Sequence, residues 1–285
     1  KRNMNKSKIF NIINSLNYLQ LILTLLLLTT HTNSKIKVHV IPHTHDDAGW
    51  LATFDDYYTG KNSQENCVEC ILDTMLKALK ENQERTFTYT EISFFEKWYT
   101  NQSEENKLQV KKYVKEKRLE FLSGGWVMND EADPYYQDII DQIRLGMQFL
   151  KIEFNIIPRV AWYLDPFGHS LTNTYLMNKL GYENLVIVRI DYRDKKKRIK
   201  EKNMEFLWKP YEDIDHGKSS IFTHITYAHY SLGEDWPEMF KYNASENTIK
   251  NKLNSIWENI SKRKEAYNSE EIMLLYGDDF TFKTE

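Results

Sequence analysis

Two histidines and two aspartates stand together in His43-Thr44-His45-Asp46-Asp47-Ala48-Gly49-Trp50. Imidazole nitrogen and carboxylate oxygen are donors that suit Zn²⁺ or a similar borderline cation. On an extended backbone, side chains two positions apart share a face, so His45 and Asp47 project together, with His43 in phase. Adjacent carboxylates at Asp46 and Asp47 repel, and a bound cation would relieve that repulsion. A second acid stands in Asp165-Pro166-Phe167-Gly168-His169-Ser170. There Pro166 pins the backbone and Gly168 permits a sharp turn, an arrangement that holds a carboxylate rigidly. A third acidic stretch is Gly277-Asp278-Asp279-Phe280. Plainer readings compete: His43 as a core histidine bonded to a loop, Asp165 as a cap for a helix beginning at Leu171, Asp279 as a turn residue. Taken together, three acid-bearing segments point to a metal-assisted hydrolase.

Each of these segments follows an apolar run that reads as a strand. Strands are expected over Val38 to Pro42, Phe87 to Phe95, Leu119 to Val127, Arg159 to Leu164, Leu185 to Ile190, Ile221 to Thr226 and Ile272 to Tyr276. Between them lie stretches with helical spacing: Gln64 to Lys80, Glu104 to Lys117, a face of Ile139, Ile143, Met147 and Leu150, Leu171 to Leu180, and a face of Ile249, Leu253, Ile256 and Ile260. Strands alternating with helices imply repeated βαβ units. The expected class is therefore α/β, a barrel-like, mostly parallel sheet surrounded by helices. In such folds sites gather at the carboxyl ends of the strands, where the polar motifs fall. The basic run Lys195 to Lys200 reads as a solvated loop.

With 285 residues, 41% hydrophobic and 28% charged, the chain can bury a sizeable core. A net charge of −3 gives no reason to expect nucleic acid or an anionic membrane as partner. No Gly-x-Gly-x-x-Gly or Walker pattern follows a strand, which leaves nucleotide chemistry unsupported. Basic residues Lys1, Arg2, Lys6 and Lys8 precede the apolar run Leu19 to Leu28, which reads as a signal peptide over 1–34, or as an uncleaved anchor if cleavage near Thr32 to Ser34 fails. Sequons at Asn101, Asn243 and Asn259 agree with that route. Cys67 and Cys70 lie in a helical pattern with no second pair to complete a zinc site. Structural cysteines, or partners of cysteines elsewhere in a longer protein, are favoured over a redox pair. Both ends read as incomplete, so the expected organisation is a leader over 1–34 and an α/β catalytic domain over 35–285, truncated at its C-terminal end.

Four ordered motifs carry a family resemblance: His43 to Trp50, Gly124-Gly125-Trp126-Val127-Met128-Asn129-Asp130-Glu131-Ala132, Trp162 to Ser170, and Gly277 to Phe280. From about Lys35 onward the chain resembles the N-terminal part of class II α-mannosidases, glycoside hydrolase family 38, and most closely the lysosomal branch. The resemblance implies one Zn²⁺ held by His45, Asp47 and Asp165, with a further histidine from beyond position 285. It implies Asp165 as nucleophile and Asp279 as acid/base, with Asp278 beside it. Trp50, Phe167, Arg189 and Tyr230 match positions that frame or bind the sugar. The expected protein is a zinc-dependent retaining α-mannosidase acting on mannose of N-glycans, in the lysosome or secreted, with no stable membrane partner. A retaining glycosidase needs two carboxyl groups ~5–5.5 Å apart, one nucleophilic and one acid then base. Two rivals stand beside this reading: a catalytically incomplete fragment or non-catalytic glycan-binding protein, and a metal-dependent amidohydrolase or deacetylase that would use His43 and His45 together.

Overall fold

The computed structural model describes residues 35–231 and 246–283. The leader and the Asn243 sequon lie outside the described residues, and apart from Lys37, the first residue of β1, everything below belongs to the unit that begins at Val38. In chain order the elements are β1 (Lys37–Pro42), α1 (Phe54–Thr59), α2 (Val68–Glu81), β2 (Phe87–Tyr89), α3 (Ile92–Thr100), α4 (Glu104–Lys115), β3 (Leu119–Phe121), α5 (Tyr136–Phe154) and β4 (Val160–Tyr163). There follow α6 (Leu171–Lys179), β5 (Asn184–Ile187), α7 (Tyr192–Glu201), β6 (Glu205–Trp208), α8 (Glu212–Asp215), β7 (Ile221–Ile225), α9 (Glu246–Ala266) and β8 (Glu271–Tyr276).

β2, β4 and β5 are short because they run through the interior with both faces covered. In β2 all three residues are buried, and so are Ala161 to Tyr163 of β4 and Leu185 to Ile187 of β5. Pairing is parallel between β2 and β3, β4 and β5, and β5 and β7, while β6 runs antiparallel along the outer side of β7. β1 pairs with β8. Two short contacts join these groups. His43 bridges Thr88 in parallel, and the Ser123 amide donates to the Val160 carbonyl at 2.8 Å. The strand run is thus β8, β1, β2, β3, β4, β5, β7. Among the described residues no strand pairing joins β7 back to β8.

One aromatic core fills the space between the first strands and their helices. Phe95 of α3 packs against Phe121, Trp98, Tyr99, Phe149 and Phe154, all within 6.4 Å between ring centroids. Such rings bury large apolar areas and set helix positions relative to the sheet. The same core reaches the acidic loop after β8, where Phe280 stacks on Tyr57 at 4.7 Å.

Three expected elements are corrected. The strand expected over Phe87 to Phe95 ends at Tyr89, and Ile92–Thr100 is helical. Here Phe94, Phe95, Trp98 and Tyr99 are buried at helical spacing, a pattern that a continuous apolar run disguises. The strand expected over Leu119 to Val127 stops at Phe121, because Ser123 and Gly124 take positive φ values of 52° and 71° and turn the chain. The basic run Lys195 to Lys200 lies in helix α7, capped by Asp191 and carrying no buried residue, so it is solvated but not a loop. Cys67 and Cys70 are bonded to each other at the start of α2, rather than to cysteines elsewhere, and the Cys67 sulfur accepts from the Cys70 amide. Among the described residues no helix is long and apolar enough to cross a membrane.

Candidate active site

The site sits just past the ends of β1, β4, β5 and β8. The segment after β8 runs beside the segment after β1: the His43 amide donates to the Tyr276 carbonyl, the His45 amide to Asp278, and the Phe280 amide back to His45. Gly277 is required there by proximity, since a Cβ on it would overlap the His43 carbonyl. Phe280 holds a positive φ of 47°, an unusual conformation for a bulky residue, secured by its stacking on Tyr57 and its bond to His45. These contacts place Asp279 directly beside His45. Asp279 is therefore not a hairpin acid.

Asp165 follows β4 in a turn between buried Leu164 and Pro166. It does not cap the next helix, because Ser170 does so, accepting from the Asn173 amide at 3.0 Å. Arg189, just past β5, donates to Asp165 at 2.5 Å, and its guanidinium lies 5.6 Å over the Phe167 ring. The Tyr230 hydroxyl lies 2.6 Å from Asp279 and 3.3 Å from the same oxygen of Asp165 that Arg189 holds. One hydroxyl thus touches both acids. The two carboxylate oxygens that share this hydroxyl are close neighbours in space. Burial, chiefly, raises the Asp279 carboxyl above its ordinary range; Tyr230 and His45 oppose that, and Asp278 and Asp47 add to it. Desolvation outranks the like charge of neighbouring Asp278. Burial and then Asp279 push the Tyr230 phenol upward, so its hydroxyl stays a donor.

His45, Asp47 and Asp165 can each aim one ligand atom into a space where all three lie within 4.8 Å of one another. Both His45 ring nitrogens are buried without a hydrogen-bond partner, and Nε2 lies 3.3 Å from Asp47. A nitrogen and two carboxylate oxygens around an unpartnered buried imidazole fit a zinc ion. His43, although in phase, is outside this group: its Nε2 faces the Tyr230 carbonyl at 3.2 Å, and burial lowers its pKa to about 4. Asp46 also turns away. It is fully buried, accepts from Thr44 at 2.8 Å and Tyr89 at 3.0 Å, and is pushed up to about 8, first by burial and then by Glu91. Asp46 and Asp47 therefore do not share one cation, since successive side chains leave an extended segment on opposite sides.

The matched family model is the glycosyl hydrolases family 38 N-terminal domain, over residues 35–285. The chain belongs to glycoside hydrolase family 38. An alpha-mannosidase of Arabidopsis thaliana is 39% identical over 87% of this chain and 26% of its own length. Lysosomal alpha-mannosidases of Dictyostelium discoideum and Mus musculus are each 36% identical, over 88% and 87% of this chain. The chain spans about a quarter of these relatives, 26% in each case. An alpha-mannosidase structure from Enterococcus faecalis superposes with a TM-score of 0.62 at 15% identity, over 86% of this chain and 25% of that one. A putative polysaccharide deacetylase from Mycobacterium smegmatis gives 0.52 at 8% identity. Both show a shared fold.

Of the positions named from sequence, this family 38 domain brings His45, Asp47, Asp165, Arg189, Tyr230 and Asp279 into one site. Asp278 lies beside Asp279 and accepts its amide at 2.9 Å, while its own amide donates to Thr281. Trp50 and Phe167 are both exposed, Phe167 against Arg189 and Trp50 on the loop three residues past Asp47. A cleft of about 830 Å³ opens beside Arg189, lined by Phe167, His169, Asp191, Phe206 and Trp208 among others.

Two features of the family 38 domain were not assigned from sequence. His169 lies 3.0 Å from Glu131 through Nδ1 and 3.0 Å from the Arg189 carbonyl through Nε2, and Glu131 also accepts the Ser170 amide. This nearly buried pair ties the turn carrying Asp165 to the strand end carrying Arg189. The second is Glu91, buried beside His45. The sequence carried no signal for it, because Glu91 falls inside the strand expected over Phe87 to Phe95.

Proposed function

We propose that this domain is the catalytic part of a zinc-dependent retaining α-mannosidase, hydrolysing terminal α-linked mannose on N-glycans in the lysosome or another secretory compartment. The observation that carries this is the single Tyr230 hydroxyl shared by Asp165 and Asp279, next to the His45–Asp47–Asp165 donor group. His45, Asp47 and Asp165 would hold the metal. When bound, zinc supplies a positive charge that binds sugar hydroxyls and stabilises charge developing near the ring.

The chain's own groups then divide the work. Asp279, its carboxyl raised chiefly by burial, holds the proton that passes to the leaving oxygen. As the bond from C1 to that oxygen breaks, an Asp165 oxygen forms a bond to C1, giving a covalent glycosyl ester. In the second half Asp279 takes a proton from water, the water oxygen bonds to C1, and Asp165 leaves as carboxylate. Arg189 holds the attacking carboxylate in place throughout, and Tyr230 hands its one hydrogen bond to whichever acid is charged. The exposed rings of Trp50 and Phe167 offer apolar faces to a sugar, and Asp278 offers a carboxylate to its hydroxyls.

The same reading takes residues 1–34 as the leader and 35–285 as the catalytic domain, its strands arranged in a barrel-like way. Against a deacetylase use of the fold, His43 stands outside the donor group and is bonded to the Tyr230 carbonyl. The test is release of 4-nitrophenol from its α-mannoside by the full chain, with and without chelator, for wild type, Asp165→Ala and Asp279→Ala. Loss in both variants and with chelator supports the assignment; undiminished turnover in Asp165→Ala refutes it.

A further inference from the structure

Glu91 is buried, and neither of its carboxylate oxygens has a hydrogen-bond partner. An isolated buried carboxylate costs several kcal/mol, so its surroundings must supply a reason for it. Helix capping is not that reason. Glu91 is the N-cap residue of α3, yet its side chain makes no capping bond. The first amides of that helix, from Ile92 and Ser93, donate instead to the carbonyls of Gly125 and Trp126. The side chain is free to point elsewhere, and its Oε1 lies 3.5 Å from Nδ1 of His45.

His45 needs such a partner. Its Nε2 faces the donor-group carboxylate of Asp47 at 3.3 Å, and Nδ1 is buried on the other side of the ring without a bond. A metal-binding imidazole offers one nitrogen's lone pair and carries its proton on the other, where a carboxylate commonly receives it. Asp46 is engaged elsewhere, its oxygens accepting from Thr44 and Tyr89. We propose that Glu91 is a positioning residue that receives the Nδ1 proton of His45, fixing the tautomer and ring plane that aim Nε2 at the metal. This rests on the reading above that His45, Asp47 and Asp165 hold zinc.

The experiment measures zinc affinity of the full chain by competition with a chromogenic chelator, alongside melting of the metal-free protein. Glu91→Leu removes the acceptor and keeps the volume, and its zinc affinity falls by ~10–100-fold. Glu91→Gln retains an oxygen that can accept from Nδ1, and its loss is smaller. Melting of the metal-free Leu variant is the control for lost packing and for the lost contact to His45. A merely structural Glu91 gives lowered melting with zinc affinity intact. Unchanged affinity in both variants of a zinc-binding wild type overturns this proposal alone. A wild type that binds no zinc overturns the metal reading as well.

Discussion

Tyr230→Phe is the most informative single change, because it deletes one oxygen and leaves the ring that packs against His43, His45 and His229. That oxygen lies 2.6 Å from Asp279 and 3.3 Å from Asp165. Only one O–H is available, so it turns fully to Asp279 as that acid gives up its proton and Asp165 loses its charge to the new bond. A hydrogen bond to a charged group contributes ~1.5–3 kcal/mol. Lost entirely in the transition state, that amounts to a fall in kcat/KM of ~10- to 100-fold, at about 1.4 kcal/mol per tenfold. The sign of the pH effect is also fixed. Tyr230 lowers the Asp279 pKa, so removing it leaves burial less opposed and Asp279 holds its proton to higher pH. The basic limb of the kcat/KM profile on 4-nitrophenyl α-mannoside should therefore move upward. A variant with wild-type kcat/KM and an unmoved basic limb refutes the idea that one hydroxyl serves both acids.

Asp279→Ala should cost ~10²–10⁴-fold on a mannoside with an unactivated leaving group and much less on one with a good leaving group, measured as kcat/KM on both. Gly277→Ala drives a methyl group into the His43 carbonyl and should separate the strands that carry His45 and Asp279; the readout is a lowered melting temperature together with lost zinc binding. His43 has its pKa lowered to about 4 by burial, so the unfolded chain takes up a proton before the folded one does. Its contribution to stability, ~3 kcal/mol at ~1.4 per unit, is present above the ordinary histidine pKa and lost as pH falls toward 4. Denaturant unfolding of the metal-free protein at pH 7.5 and 4.5 should show a steeper acid loss in wild type than in His43→Gln.

Much of the site was legible in the sequence because its residues follow apolar runs, and a strand end is where backbone polarity and side-chain freedom meet. His45 and Asp47 were readable as a same-face pair from the two-residue period, and Asp165 from the proline and glycine that frame its turn. That Asp46 faces the other way is the same period seen from the opposite side. What spacing could not supply was convergence across the chain: the Arg189–Asp165 contact spans β4 to β5, and the Tyr230 hydroxyl reaches acids 65 and 49 positions away. The helix Ile92–Thr100 was hidden because its buried first residues, Ile92 to Phe95, extend the apolar run of the preceding strand and read equally as strand or helix. Glu91 was missed for a related reason, since a lone carboxylate announces a role only when its lack of partners is visible. The antiparallel strand Glu205–Trp208 carries too little alternation in four residues to stand out from a loop.

The central claim is that Asp165 attacks the sugar while Asp279 handles the proton. The most direct test follows the covalent state: the full-chain protein is quenched during turnover of an activated, slowly released α-mannoside, digested, and its peptides weighed. The account predicts one added sugar on the peptide containing Asp165, accumulating further in Asp279→Ala, where water lacks its base. A sugar attached to any other residue, or turnover by Asp165→Ala at the wild-type rate, would contradict it.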